Sequence, residues 1–291
     1  MKNVSKIAIV TDSNSGITQK EAEALGIHVL AMPFMIDGKL YYEERDLSQD
    51  AFYEKMIAGA EITTSQPSPE EVMELWDKLL LTHDQIVYIP MSSGLSGSCQ
   101  TARLLAEDYD DRVAVVDNQR ISVTQKRSAM DAYELAQRGE MDAEQIRQYL
   151  ENDKFNSSIY IMLDTLTYLK KGGRITPAAA MLGNILRLKP VLQIQGEKLD
   201  AFAKARTTAQ GKTIMLNALK NDIAERFGGS TENVWIYIAH SHNEAGAEAY
   251  LEELQKEFPD NPIELQCLSL SIGCHLGPGT LAVACAQKLS I

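Results

Sequence analysis

The chain has 291 residues, with 40 acidic and 28 basic side chains and a formal net charge of -12 at pH 7. An acidic balance opposes a general nucleic-acid or anionic-membrane role, because phosphate surfaces are bound mainly by Lys and Arg. The length suits a large core spread over two domains, and no apolar run is long enough to cross a bilayer. The first residues lead into a short strand-like run with no signal-peptide pattern, so a cytoplasmic location is expected. Cys99, Cys267, Cys274 and Cys285 form no CxxC pair and read as buried free thiols.

The first predicted element is a strand over 6–11, followed by a helix whose start is marked by Thr18 and Glu21, a capping-box pair. A hydroxyl-rich segment, 62–68, leads into a second helix. Ser68 with Glu71 is again a capping box, and Pro69 occupies the first helical position. Val72, Leu75, Trp76, Leu79 and Leu80 then form one apolar stripe. A strand over 86–91 runs into Ser92-Ser93-Gly94-Leu95-Ser96-Gly97-Ser98, after which Ala102, Leu104, Leu105 and Tyr109 carry a helical pattern. Strands are further predicted over 113–117, 159–163, 191–195, 234–240 and 263–270. A helix from about Asn243 presents Ala247, Tyr250, Leu251, Leu254 and Phe258. The alternation implies an α/β architecture with a largely parallel sheet. The polar stretch 151–158 marks the expected boundary between an N-terminal α/β domain, 1–156, and a C-terminal one, 157–291.

The serine loop joins a strand to a helix N-terminus, where backbone N–H groups lack intrahelical partners and the helix dipole is positive. With glycines and hydroxyls added, such a loop can hold a carboxylate or phosphate; the plainer reading is a serine-rich turn that caps its own helix. Other motifs fail on spacing. Gly211-Lys212-Thr213 resembles a Walker ending, but Arg206 stands where a glycine is required. Ser96 has Gly94 two before it and Ser98 two after it, so the GxSxG elbow is not met. His240 and His242 could point the same way from one strand, but no carboxylate or thiol is evidently paired with them, and no metal site is assigned. No dinucleotide fingerprint is present, and no cofactor is expected.

Four loops carry the polar groups that would suit one carboxylate or acyl phosphate: the hydroxyl-rich 62–68 with Thr64 and Ser65, the glycine-containing serine loop with Ser92, Ser93 and Ser96, 170–175 with Arg174, and 272–280 with His275. Each has a simpler explanation alone, as a cap, a surface ion pair or a backbone hydrogen bond. Their order, together with Ile9-Val10-Thr11-Asp12-Ser13-Asn14-Ser15, Lys189-Pro190-Val191-Leu192 and Lys204-Ala205-Arg206-Thr207, resembles the DegV family nearly end to end. That family includes the fatty-acid-binding subunit of bacterial fatty acid kinase. The opening motif departs from the common pattern at Asn14 and Gly16, where members often carry Thr or Ser and an acidic residue.

The resemblance implies two α/β domains with a lipid-binding tunnel at their junction, holding a single long-chain fatty acid. By motif, Thr64 and Ser93 would donate hydroxyls to the carboxylate, Gly94 its N–H, and His275 would complete the polar end, with Arg174 near the head group. Met32, Phe34, Met35, Met162, Leu163, Met181 and Leu182 are candidates for the tail lining or for simple core packing. The resemblance also implies a separate ATP-dependent kinase subunit that phosphorylates the bound acid. Lys170, Lys171, Arg206 and Lys212 could meet that partner, and transient membrane contact would accompany lipid transfer. The alternative is a hydrolase or acyl transferase with Ser93 as nucleophile, His275 as base and an acid such as Asp12.

Overall fold

The computed structural model describes residues 5–181 and 188–290. In chain order its elements are β1 (Ile7–Asp12), α1 (Gln19–Leu25), β2 (Ile27–Leu30), β3 (Pro33–Ile36), β4 (Lys39–Tyr42), α2 (Gln49–Ile57), β5 (Ile62–Thr64), α3 (Pro69–Leu80), β6 (Gln85–Ile89), α4 (Ser98–Ala106), β7 (Val113–Val115), α5 (Val123–Arg138) and α6 (Ala143–Asn152). They continue as β8 (Ser157–Met162), α7 (Thr167–Gly172), α8 (Pro177–Met181), β9 (Lys189–Ile194), β10 (Asp200–Ala205), α9 (Thr208–Glu225), β11 (Val234–Ser241), α10 (Glu244–Glu257), β12 (Ile263–Cys267), α11 (Leu270–Leu276) and β13 (Thr280–Gln287). The chain divides into two units, one of Met1–Asp46 with Thr64–Lys154, the other of Leu47–Thr63 with Phe155–Ile291.

The first unit is built on a four-stranded parallel sheet, β2-β1-β6-β7. Its central strands carry Ile9, Val10, Ile86, Val87 and Ile89 buried on both faces, as a sheet covered by helices requires. Both capping boxes form. Thr18 and Glu21 bond reciprocally at the start of α1, and Ser68 and Glu71 do the same at α3, with Pro69 at its first position. Of the α3 stripe, Val72, Trp76 and Leu79 are buried and Leu75 and Leu80 pack at its margin, against Val10, Tyr88, Cys99, Ala102 and Val113. On α4 the pattern is narrower than expected: Leu104 is 61% exposed, because Ser98, Cys99 and Ala102 supply the inner face.

The second unit corrects the expectation of a largely parallel sheet. Its six strands run β10-β9-β8-β13-β11-β12, and only β11 and β12 are parallel. Two features produce this. The turn between β9 and β10 is too short for a crossover, so they form a hairpin. The unpredicted strand β13 inserts between β8 and β11, antiparallel to both. The predicted strand over 263–270 ends at Cys267, and Leu270 instead opens α11. Met215, Leu219, Phe227, Ile236, Tyr250, Leu254 and Val283 lie in one apolar cluster of this unit. The helix α2 belongs here too: the Gln49 amide donates to Leu268 O at 3.2 Å, and Tyr53 stacks on His242 with ring centres 4.8 Å apart.

Candidate functional site

In the first unit the serine loop is held from behind by carboxylates. Asp12, at the end of β1, is fully buried and accepts the Met91 N–H at 2.8 Å, the Asn14 N–H at 2.9 Å and the Gln125 amide at 3.1 Å. Burial pushes its carboxyl up to about 6, against the lowering effect of those donors. Asp117 accepts the Ser93 N–H at a long 3.4 Å, and the Ser92 N–H reaches Arg120 O at 2.9 Å. Ser92 Oγ receives the Gly94 N–H at 3.3 Å, and Ser92 O takes those of Leu95 and Ser96.

These bonds fold the loop into a tight turn ahead of α4. The helix is not capped by a serine side chain at its N-cap, which is Gly97, although Ser96 Oγ accepts the Ser98 N–H at 3.2 Å. Groups suited to an anion remain. Ser93 is half-buried, its Oγ has no partner among the described residues, and the bond from the Gly94 N–H is weak at its length. Ser98 Oγ at the first position of α4 is buried and unpartnered among the described residues. The Thr64 segment lies close by within the same unit. Gln66 exchanges hydrogen bonds with Thr101 of α4 at 3.1 and 3.3 Å, and Ser65 N–H donates to Pro33 O at 3.3 Å.

The second unit brings Arg174 and His275 together. The helix α7 packs on α11, and the absence of a side chain at Gly172 lets the imidazole approach: a Cβ there would lie 2.3 Å from His275 Nδ1. Gly277, at φ 79°, likewise leaves room for the Tyr168 ring. The Arg174 guanidinium donates to Gly172 O. Burial, assisted by the Arg174 charge, lowers the His275 pKa to about 4. His275 is therefore neutral near pH 7, able to meet an anion as a hydrogen-bond donor, and Arg174 is the charged group of the pair.

The expected tail-lining residues diverge. Met32, Phe34, Met162 and Leu163 are buried, Met35 is half-buried and Met181 is 75% exposed, while Leu182 lies outside the described residues. Met162 is core: it belongs to the apolar cluster of the second unit, and its sulfur fills the space a Cβ on Gly211 would need. Of the basic candidates, Lys170, Lys171 and Arg206 are exposed, whereas Lys212 pairs with Glu253 at 3.1 Å.

The histidine pair also needs correction, because His242 lies past the end of β11 at φ 45° and stacks on Tyr53, while His240 sits with Glu244 and Cys267. The ligand atoms of these three residues all lie within 4.8 Å of one another, so a carboxylate and a thiol do gather on His240, contrary to the sequence expectation. The described cysteines are free, and all but the half-buried Cys267 are buried.

The buried network behind the loop escaped the sequence reading. Gln125, Lys126, Arg127, Ser128 and Asp131 are all buried on α5, so that helix shows no apolar stripe to announce itself. The one available signal was an acid, Asp12, directly after an apolar strand.

A model of the DegV family of uncharacterised proteins matches residues 6–288. The chain belongs to the DegV family. Among DegV relatives, a DegV domain-containing protein of Listeria monocytogenes is 33% identical over 290 residues, covering 97% of this chain and 99% of its own. The DegV protein of Bacillus subtilis is 30% identical over 285 residues, covering 97% and 99%. Two solved DegV structures share the fold. A fatty-acid-binding DegV family protein from Thermus thermophilus matches with a TM-score of 0.88 at 29% identity, over 97% of this chain and all of that one. DegV from Bacillus subtilis, described as a fatty acid binding protein, matches with a TM-score of 0.86 at 28% identity, over 98% and 100%. The mixed α/β architecture is thus that of fatty-acid-binding DegV proteins. No helix among the described residues is long and apolar enough to cross a membrane.

Proposed function

We propose that this DegV protein binds a single long-chain fatty acid, tail in a buried apolar tunnel and carboxylate held by its polar loops. The observation that carries the reading is the match of almost the whole chain to two DegV structures described as fatty-acid-binding. The loop chemistry supports it. The carboxylate takes hydrogen bonds from the Thr64 and Ser93 hydroxyls, the Gly94 N–H and the neutral His275, and Arg174 supplies the compensating charge. A buried carboxylate needs such partners, each worth on the order of 1–3 kcal/mol when lost. Acting in the cytoplasm, the protein presents this carboxylate to a separate ATP-dependent kinase subunit and carries away fatty acid or acyl phosphate, touching membranes transiently.

Native mass spectrometry of protein purified from a bacterial host, followed by extraction of the bound molecule, tests the binding. One co-purified fatty acid, lost on Ser93→Ala or His275→Ala, is the expected result; a protein that stays empty on titration with fatty acids overturns it. Replacing Lys170 and Lys171 by Glu should weaken phosphorylation by the kinase while leaving lipid affinity intact, and an equal fall in both would remove the partner role. Turnover of an ester substrate that disappears in Ser93→Ala would instead favour a hydrolase.

A further inference from the structure

Among the described residues no cation pairs with the Asp12 carboxylate, which is buried directly behind the proposed head-group loop. Its two oxygens face only donors. Oδ2 takes the Met91 N–H, and Oδ1 takes the Asn14 N–H and the Gln125 amide. Met91 is the residue from which the loop departs, and the Asn14 amide also donates to its sulfur at 2.9 Å. A proton on Asp12 must occupy one of those oxygens. On Oδ2 it displaces the tie to Met91; on Oδ1 it displaces Asn14 and Gln125, which hold the carboxylate in register with the loop.

We propose that Asp12 is the positioning residue of the anion-binding loop: as a carboxylate it fixes Met91 and hence Ser92, Ser93 and Gly94, and its protonation releases the loop and weakens head-group binding. The inference rests on the fatty-acid reading for its ligand, but the tie between Asp12 and Met91 stands without it.

The surroundings make Asp12 the group that titrates. From β6 and α4 the titratable neighbours that feel its charge are Tyr88 and Cys99, both pushed upward by burial and so neutral. On α5, Lys126 pairs with Glu21 and Arg127 with Asp131, and Arg120 in the preceding segment pairs with Asp153. Asp117, which also holds the loop, receives the Ser93 N–H. Among the described residues, none of the groups that set the ionisation of Asp12 is a cation, and its carboxyl is raised to about 6 by burial. Its protonation therefore falls within the range a cell or a buffer series can reach.

The experiment has two arms on the full chain. In ligand-free, 15N-labelled protein, the Met91 and Ser93 amide resonances are followed from pH 8 to pH 5. They should move together with one midpoint near 6, and Gln125→Leu, which removes a donor to the carboxylate, should shift that midpoint upward. In the second arm, palmitate affinity is measured across the same range for the natural protein and Asp12→Asn. Aspartate should favour binding at pH 8 by about tenfold, and the advantage should vanish by pH 5. Ligand and His275 titration act on both proteins alike and drop out of the ratio.

Amides that do not titrate, a midpoint unmoved by Gln125→Leu, or a ratio constant with pH would each overturn the proposal. If Asp12→Asn does not fold, the amide midpoint and its shift decide. If palmitate binds neither protein yet the amides titrate as described, the fatty-acid reading and the binding consequence fall, while the Asp12–Met91 tie remains.

Discussion

Ser93 and His275, two residues of the proposed head-group site, each carry a prediction of their own. Ser93 Oγ has no partner among the described residues, so Ser93→Ala should leave stability within about 0.5 kcal/mol of the natural protein. Fatty-acid affinity, measured by calorimetry or fluorescence, should fall about tenfold or more, as expected for a lost hydrogen bond to a charged group. His275 carries a pH signature. Its pKa is lowered from the ordinary 6.5 to about 4, so the unfolded chain binds more protons than the folded one between those values. Stability from this residue is present above pH 6.5 and is lost as pH falls toward 4, by a total of about 3 kcal/mol. Asp12 acts with the opposite sign, because its raised pKa makes the folded state the better proton binder between about 4 and 6. Asp131, raised to about 6 by burial, acts in the same direction as Asp12. Urea unfolding of the natural protein should therefore show stability falling as pH rises through that window, partly offset by His275. His275→Gln should steepen that decline between pH 4 and 6, and an unchanged profile would count against a desolvated imidazole.

At the level of elements, the polar groups are placed by helix ends and by glycines chosen for close approach. Gly172→Ala puts a methyl where the His275 ring lies, while Gly173→Ala touches nothing but must hold φ 71°. Gly172→Ala should weaken fatty-acid binding with the fold retained. Gly173→Ala should cost about 1 kcal/mol of stability with binding nearly intact. The reverse order would show that backbone strain, and not the imidazole position, governs this corner. The α3 cap is independent of ligand. Ser68→Ala removes one half of a reciprocal pair and should lower stability by about 1 kcal/mol in thermal or urea unfolding, without changing affinity.

At the scale of the molecule, each unit has its own core. Trp76 is fully buried in the first, and Leu219 in the second. Truncation should cost about 3–5 kcal/mol for Trp76→Ala and about 2–5 kcal/mol for Leu219→Ala. Hydrogen exchange should localise the damage, with protection lost first in β1, β6 and β7 for the former and in β8, β11 and β13 for the latter. Loss spread evenly over the chain in both variants would mean that the units do not open separately.

The parts of this protein legible from its residues alone are those governed by local physics. Reciprocal pairs such as Thr18 with Glu21, a proline at a helix start and an apolar stripe such as Val72, Trp76 and Leu79 act over a few positions and announce themselves. The serine loop was legible for the same reason, since a strand, glycines and hydroxyls in sequence make a turn at a helix N-terminus wherever they fold. Tertiary structure decided what depends on distant partners. The run 280–287 is strand or helix until β8 and β11 accept it between them, and α2 joins the second unit through bonds such as that from Gln49 to Leu268, 219 positions away. The Asp12 network was invisible because a buried carboxylate is stable only where the fold converges several donors on it, and those donors come from three separate segments of the chain.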